Sequence, residues 1–431
     1  MKKFLSMLLV LTLSIFNSPS LSFAASTQVD ALIRKLVEKK ILTRQEAIEL
    51  KGEIAADEKL IKEENFKTGL PEWVQNTKLK GDFRLRYQYE RKKNDQDSRD
   101  RGRARYRLGI ESQVNQKVKV GAGIASGADD PRSTNQTFVD TFERSDVRLD
   151  YAFGEYAHNV YAKVIGGIFP KKDYLWTPSD LLWDTDINPT GGAFHLERKM
   201  MDDTITPYLN TGVLLVDESL SSDKQDPFIV YTQGGLKWQD QKEGPKFDTN
   251  LAATYYSFNG VQGQNLDWGS STNSGRTGCS SSTGACTTGT TYDFDSIVAS
   301  MEVGANSLFG GLPLNIDDRI AIFSDFVYNP NPTELNTGWA LGGYFGHKKV
   351  ANWKQWQMRY QYSSLGKDAW YDSFPDSDRN GGATDSAGHE TIFEYGLSKN
   401  VSLSFDYYND NRIKGTKNRQ QLIQADVNFK F

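Results

Sequence analysis

The chain has 431 residues with 51 basic and 55 acidic side chains, a formal net charge of −4 that argues against a dedicated nucleic-acid binder. Hydrophobic residues make up only 38%, yet aromatics reach 12% and glycine counts 37, whereas a disordered chain would be aromatic-poor. A helical membrane protein needs apolar runs of about 20 residues, and none follows the leader, which leaves a soluble all-β protein or an outer-membrane β-barrel.

The leader comes first. Lys2 and Lys3 precede the apolar stretch from Phe4 to Phe16, and Ser22-Phe23-Ala24 reads as a cleavage signal. Residues 1–24 are therefore expected to be a signal peptide that exports the chain. Residues 25–70 read as a periplasmic helical, coiled-coil-like segment. Val29, Leu32, Ile33, Leu36 and Val37 repeat on one helical face, and Thr43-Arg44-Gln45-Glu46 is a capping box that opens a second helix. Faces so rich in Lys and Glu need a partner helix.

From residue 77 the apolar period switches from 3.6 to 2. Leu79, Gly81, Phe83, Leu85, Tyr87 and Tyr89 alternate with Lys78, Lys80, Asp82, Arg84, Arg86 and Gln88. The same alternation predicts strands near 77–90, 102–114, 117–127, 145–155, 159–169, 190–200, 203–217 and 226–239. It continues near 246–259, 291–304, 318–328, 336–347, 353–364, 388–398, 401–410 and 419–431. Sixteen strands over the 355 residues 77–431 give about 22 residues per strand and loop, which suits an all-β transmembrane barrel of sixteen antiparallel strands. Even-numbered strands run on through short turns such as Asn115-Gln116 and Lys399-Asn400. Odd-numbered strands run on through long loops such as 128–144, 170–189, 260–290 and 365–387. That asymmetry belongs to outer-membrane barrels, whose short turns are periplasmic. The connection 305–317 is the exception, being long for such a turn.

The charged positions fix the orientation of the strands. Lys78, Lys80, Arg84 and Arg86 on the first strand and Arg103, Arg105 and Arg107 on the second share one face. Arg148 on the fourth strand lies between Val147 and Leu149. Placing a basic residue on the lipid face costs about 2–4 kcal/mol near the midplane, so these groups are expected to line the pore. Clustered lumen charge sets ion selectivity, here a mild preference for anions unless the carboxylates of loop 170–189 cancel it.

Loop 170–189 carries Asp173, Asp180, Asp184 and Asp186 with Trp176 and Trp183. Leu175-Trp176 and Leu181-Leu182-Trp183 should not be left in water, which favours folding the loop inward. Its carboxylates would then face the arginine ladder across an eyelet and orient dipolar solutes. Cys279 and Cys286 would close a small disulfide in an oxidising compartment. The Ser/Thr/Gly stretch 269–291 reads as a mobile extracellular loop. Asp376-Ser377-Asp378-Arg379-Asn380-Gly381 starts like an EF-hand loop, but Ala387 occupies position 12, so a surface turn is expected. His158, His195, His347 and His389 are scattered, and neither a catalytic set, a metal site nor a cofactor is expected.

The last strand places Ile423, Ala425, Val427, Phe429 and Phe431 on one face. A terminal aromatic on a closing strand resembles the signal read by the barrel-assembly machinery. Gly167-Ile168-Phe169-Pro170 followed by Leu182-Trp183-Asp184-Thr185-Asp186-Ile187-Asn188-Pro189-Thr190-Gly191-Gly192-Ala193 resembles the putative porin family of Gram-negative bacteria. Thr190 stands where an acidic residue is common. The resemblance covers the whole mature chain. It implies a water-filled diffusion channel in outer-membrane lipid, often a homotrimer, that passes small hydrophilic solutes and ions without chemistry of its own. In general diffusion porins the loop at the position of 170–189 narrows the barrel. Two alternatives stand beside this: a solute-specific, anion-preferring channel, and a non-conducting anchor whose helical segment grips the cell wall or a partner.

Overall fold

The computed structural model describes residues 72–92, 98–141, 144–218, 226–240, 246–264, 266, 270, 272–278, 287–306, 319–415 and 418–431, with scattered positions between 33 and 52. The signal peptide, the 279–286 cysteine pair and most of the 305–317 connection lie outside the described residues. The chain divides into two units, Met1–Gln75 and Asn76–Phe431.

In the first unit, Thr43 and Glu46 make the reciprocal bonds of a capping box. The Thr43 N–H donates to Glu46 Oε2 at 2.8 Å, and the Glu46 N–H donates to Thr43 Oγ1 at 3.2 Å. Each satisfies a backbone donor that a helix start leaves open. Ile33 and Ala47 are buried. A short helical turn, Glu72–Gln75, precedes the second unit.

The second unit is one closed sheet. Its barrel strands are β1 (Thr77–Lys92), β2 (Arg99–Gln113), β3 (Val118–Ser126), β4 (Val147–Ala157), β5 (Ala162–Ile168), β6 (Thr190–Glu197), β7 (Ile205–Leu215) and β8 (Phe228–Gln239). They continue as β9 (Lys246–Asn259), β10 (Ile297–Asn306), β11 (Arg319–Tyr328), β12 (Thr337–Gly346), β13 (Trp356–Leu365), β14 (Ser386–Ser398), β15 (Val401–Arg412) and β16 (Gln420–Lys430). Each strand pairs antiparallel with its neighbours in sequence, and β16 closes on β1 from Asp82↔Lys430 to Lys92↔Gln420. Closure removes the sheet edge, the only way a sheet satisfies its backbone in lipid. A two-residue strand in the loop after β3, Gln136–Thr137, adds to β2 beside Arg103 and Ala104.

The alternation sorts the residues by face. Leu79, Ile110, Leu149, Ile322, Phe326 and Leu341 point outward and stay exposed. Such a band would be a liability in water but belongs to the lipid face of a barrel. Short turns close one end with asparagine. Asn115 Oδ1 accepts the N–H groups of Lys117 and Val118, and Asn159 Oδ1 those of Tyr161 and Ala162. Asn400 takes φ +63° in the two-residue link between β14 and β15, a conformation asparagine tolerates better than most residues.

One expected strand begins later than its pattern suggests. Residues 291–296 are a loop rather than the start of β10. Phe294 turns into the barrel against Phe258 and Tyr371, and Asp295 Oδ1 accepts the Phe258 N–H.

Candidate functional site in the lumen

Two long loops enter the barrel and share one apolar core with its wall. From loop 169–189, Tyr174, Leu175, Leu181, Leu182, Trp183 and Ile187 are buried. They pack with Trp370 and Tyr371 of loop 366–385 and with the inward faces of Tyr231, Tyr256 and Phe258 on β8 and β9. Trp183, 2% exposed, is the hub. Its ring stacks on Phe374 at 4.6 Å, meets Trp370 edge-on at 6.0 Å, and its Nε1–H donates to the Tyr256 hydroxyl at 3.2 Å. An indole buried with its N–H bonded keeps the apolar gain without a polar loss.

Polar bonds then fix the loop across the lumen. The Trp176 N–H donates to Gln233 Oε1 on β8, and the Ser179 N–H to Asp325 Oδ2 on β11. Arg359 on β13 donates to the Pro178 carbonyl, and Gln361 to Asp180 Oδ1. Lys171 closes the loop on itself by donating to the carbonyls of Asp184 and Ile187.

The basic ladder stands on the lumen face of β1 and β2, where the register sets Arg84 against Arg105 and Arg86 against Arg103. Carboxylates compensate most of it. Arg86, 6% exposed, is held by Asp426 of β16 at 2.8 Å and by Asp378 of loop 366–385 at 3.1 Å. Arg84 faces Asp426 at 3.6 Å. Arg105 and Arg107 share Asp82 at 2.8 and 2.7 Å, and both reach Asp186 of the infolded loop, at 3.9 and 3.3 Å. Lys80 pairs with Glu111 near the periplasmic end.

The expected eyelet needs correction on three points. Asp186 alone of the four loop carboxylates meets the arginines, and it does so in direct contact rather than across an open gap. Asp180 turns to β13, while Asp184 accepts the N–H groups of Asp186 and Ser377. Asp173 and Trp176 line a cavity of about 170 Å³ with Lys163, His195, Tyr208 and Lys237 on the other side of the loop. Arg148 sits at the rim, exposed, and pairs with Asp129 and Asp146 instead of joining the ladder.

The segment 376–381 is not a surface turn. Asp376 and Arg379 are buried inside the barrel, where Arg379 holds Glu390 and Asp410 at 2.9 and 2.5 Å. Nor is the described part of 269–291 loose. Asn273 and Arg276 are buried, Asn273 donates to the carbonyls of Lys367 and Trp370, and Arg276 pairs with Asp372 at 3.1 Å. Loop 366–385 therefore belongs to the site, and sequence reading missed it. Its signal was present: Trp370-Tyr371 and Phe374 form an apolar group as unsuited to water as Leu181-Leu182-Trp183.

Burial and pairing separate the loop's two lower carboxyls. Burial first, and the Asp186 charge second, push Asp184 up to about 8. Burial acts on Asp186 too, but Arg105, Arg107 and Arg84 overcome it and hold the group below the usual carboxylate range. Lys171 is pushed down to about 8 by burial, against Asp184 and Asp186. Asp180, Asp376 and Glu390 bring one oxygen each within 4.8 Å of the others. Gln361 donates to Asp180 and Glu390, and Arg379 to Glu390, so protein donors already serve two of the three.

A closed sixteen-stranded antiparallel barrel with an apolar exterior, a charged lumen and infolded loops defines an outer-membrane channel protein. The family model described as "Putative porin" matches residues 48–99, 89–292 and 283–431, and the chain belongs to that family. Among solved structures, OprB of Pseudomonas putida at high pH is similar with a TM-score of 0.51 at 9% identity, over 83% of this chain and 94% of that one. A variant of the Rh. blastica porin is similar with a TM-score of 0.43 at 12% identity, over 82% of this chain and 100% of that one. No curated protein matches the chain. The protein is an outer-membrane porin.

Proposed function

We propose that the channel passes small hydrophilic solutes and ions by passive diffusion through a constriction built by loops 169–189 and 366–385. The observation that carries this reading is the contact of Asp186 with Arg105 and Arg107, which ties the infolded loop to the lumen wall. The ladder is largely neutralised where it stands: Arg84, Arg86, Arg105 and Arg107 all have carboxylate partners. Selectivity in such a pore follows its uncompensated charge, so the channel discriminates weakly between anions and cations. Stepwise, long-lived conductance in a planar bilayer tests the reading. A folded barrel with no conductance would favour the anchor.

Three finer features belong to the same reading. Phe429 and Phe431 serve as the assembly signal. Phe83 stacks on Phe429, and Phe431 exchanges backbone hydrogen bonds with Gly81 at the closing seam. The periplasmic helical segment read from the sequence over 25–70, most of it outside the described residues, is the second. The barrel works as a homotrimer in outer-membrane lipid, for which three equal conductance steps are the signature.

A further inference from the structure

We propose that Arg103 centres a binding site for a small carboxylate-bearing solute on the extracellular side of the constriction, a site that rests on the channel reading above. Arg84, Arg86, Arg101, Arg105 and Arg107 each have a carboxylate within 4.0 Å, and Arg103 has none among the described residues. Its Nη1 donates to Gln88 Oε1 at 3.0 Å and its Nη2 to Ser133 Oγ at 3.3 Å, both neutral. Its Nε is buried without an acceptor. A charged, half-buried guanidinium whose buried Nε lacks an acceptor is costly unless an anion reaches it.

The surrounding space fits that anion. Arg103 lines a cavity of about 350 Å³ between the upper lumen wall and the loops. Small-solute sites begin at about this size. Lys92, Arg101 and Arg132 line it with Arg103, against the carboxylates of Glu90, Asp130 and Asp378. Four cations thus face three carboxylates, and Asp378 is also engaged by Arg86 from beside the cavity. Arg132 takes Asp130, Lys92 and Arg101 share Glu90, and Asp378, which also acts on Arg103, is held by Arg86, so the cavity keeps a net positive charge along Lys92, Arg101 and Arg103. Ser133 accepts from Arg103 and Asn135, which leaves its hydroxyl hydrogen free to donate into the same space. Arg132 and Ser133 come from the loop after β3, and Ser377 and Asp378 from loop 366–385. A solute held here bridges both loops and the wall immediately above the constriction.

Calorimetric titration of succinate into the folded, detergent-solubilised protein at low salt tests the site, with glycerol as the neutral control. The expected result is one saturable site per barrel for succinate and none for glycerol. Arg103→Gln should weaken it about tenfold or more, the range of a lost charge-assisted hydrogen bond. Arg103→Lys keeps the charge but not the planar fork and should fall between the two. No saturable heat with the wild-type protein, or equal affinity in all three proteins, overturns the proposal. Succinate binding by a barrel that conducts no KCl in a bilayer would overturn the channel reading and leave the site standing. Steady KCl conductance without succinate binding would do the reverse.

Discussion

Asp184 and Asp186 are two residues apart on one loop and meet opposite fates. Asp186 has two guanidinium partners and is held ionised, whereas Asp184 is 4% exposed and faces a like charge. With its folded pKa raised to about 8, Asp184 keeps a proton that the unfolded chain gives up near pH 4. The folded state then binds more protons across that window, so stability falls as pH rises from about 4 to about 8. Urea midpoints measured in detergent between pH 5 and pH 8 should therefore decline, and Asp184→Asn should flatten the decline. A slope unchanged in the variant would assign it to other groups. Arg86 is the complementary case, a buried cation serving Asp426 and Asp378 together. Arg86→Met takes the paired cation from Asp378 and leaves Asp426 only the longer Arg84 contact. The expected loss is about 3–5 kcal/mol, the usual cost of breaking a buried pair from one side. The same urea titration at pH 7 reads it.

At the scale of elements, loop 169–189 is held more by its apolar side than by its charges. Trp183 touches Phe374, Trp370 and Tyr256, which belong to another loop and to β9. Trp183→Ala removes the hub and should cost about 3–5 kcal/mol. It should also raise single-channel conductance, because the two loops then lose their common anchor. A destabilised variant with unchanged conductance would show that the loops do not narrow the pore. The strands were legible from the sequence because a lipid-facing wall repeats every two residues, and all sixteen have counterparts in the sheet. Loop 366–385 carries the same apolar signal in Trp370-Tyr371 and Phe374, but the turn-forming Asp, Ser and Gly around it make it read as a surface loop. The basic positions of β1 and β2 were legible by the cost of placing arginine in lipid. Their partners were not: Asp426 lies 340 residues from Arg86, and closure of β16 on β1 is what brings them together.

At the scale of the whole molecule, the sheet and the loops set the sign of the lumen jointly. The wall supplies Arg84, Arg86, Arg105 and Arg107, and the wall and loops return Asp82, Asp426, Asp186 and Asp378. An ion crossing the constriction meets near-neutral pairs, and the formal charge of −4 for the chain adds no strong bias. The wild-type reversal potential in a KCl gradient should accordingly lie close to zero, with a slight lean to the anion side from the excess cation around Arg103, because K⁺ and Cl⁻ have similar mobility and little fixed charge separates them. Removing one carboxylate from the balance should reveal the ladder. Asp186→Asn keeps the size and can still accept from Thr134, whose N–H and hydroxyl both donate to Asp186. It leaves Arg105 and Arg107 to share Asp82. The reversal potential should then move to the anion-selective side, and the shift should shrink as salt rises from 0.1 to 1 M, since the screening length falls from about 10 to about 3 Å. A cation-selective wild-type channel, or an Asp186→Asn channel with no shift at low salt, would mean that the ions take a path remote from the ladder.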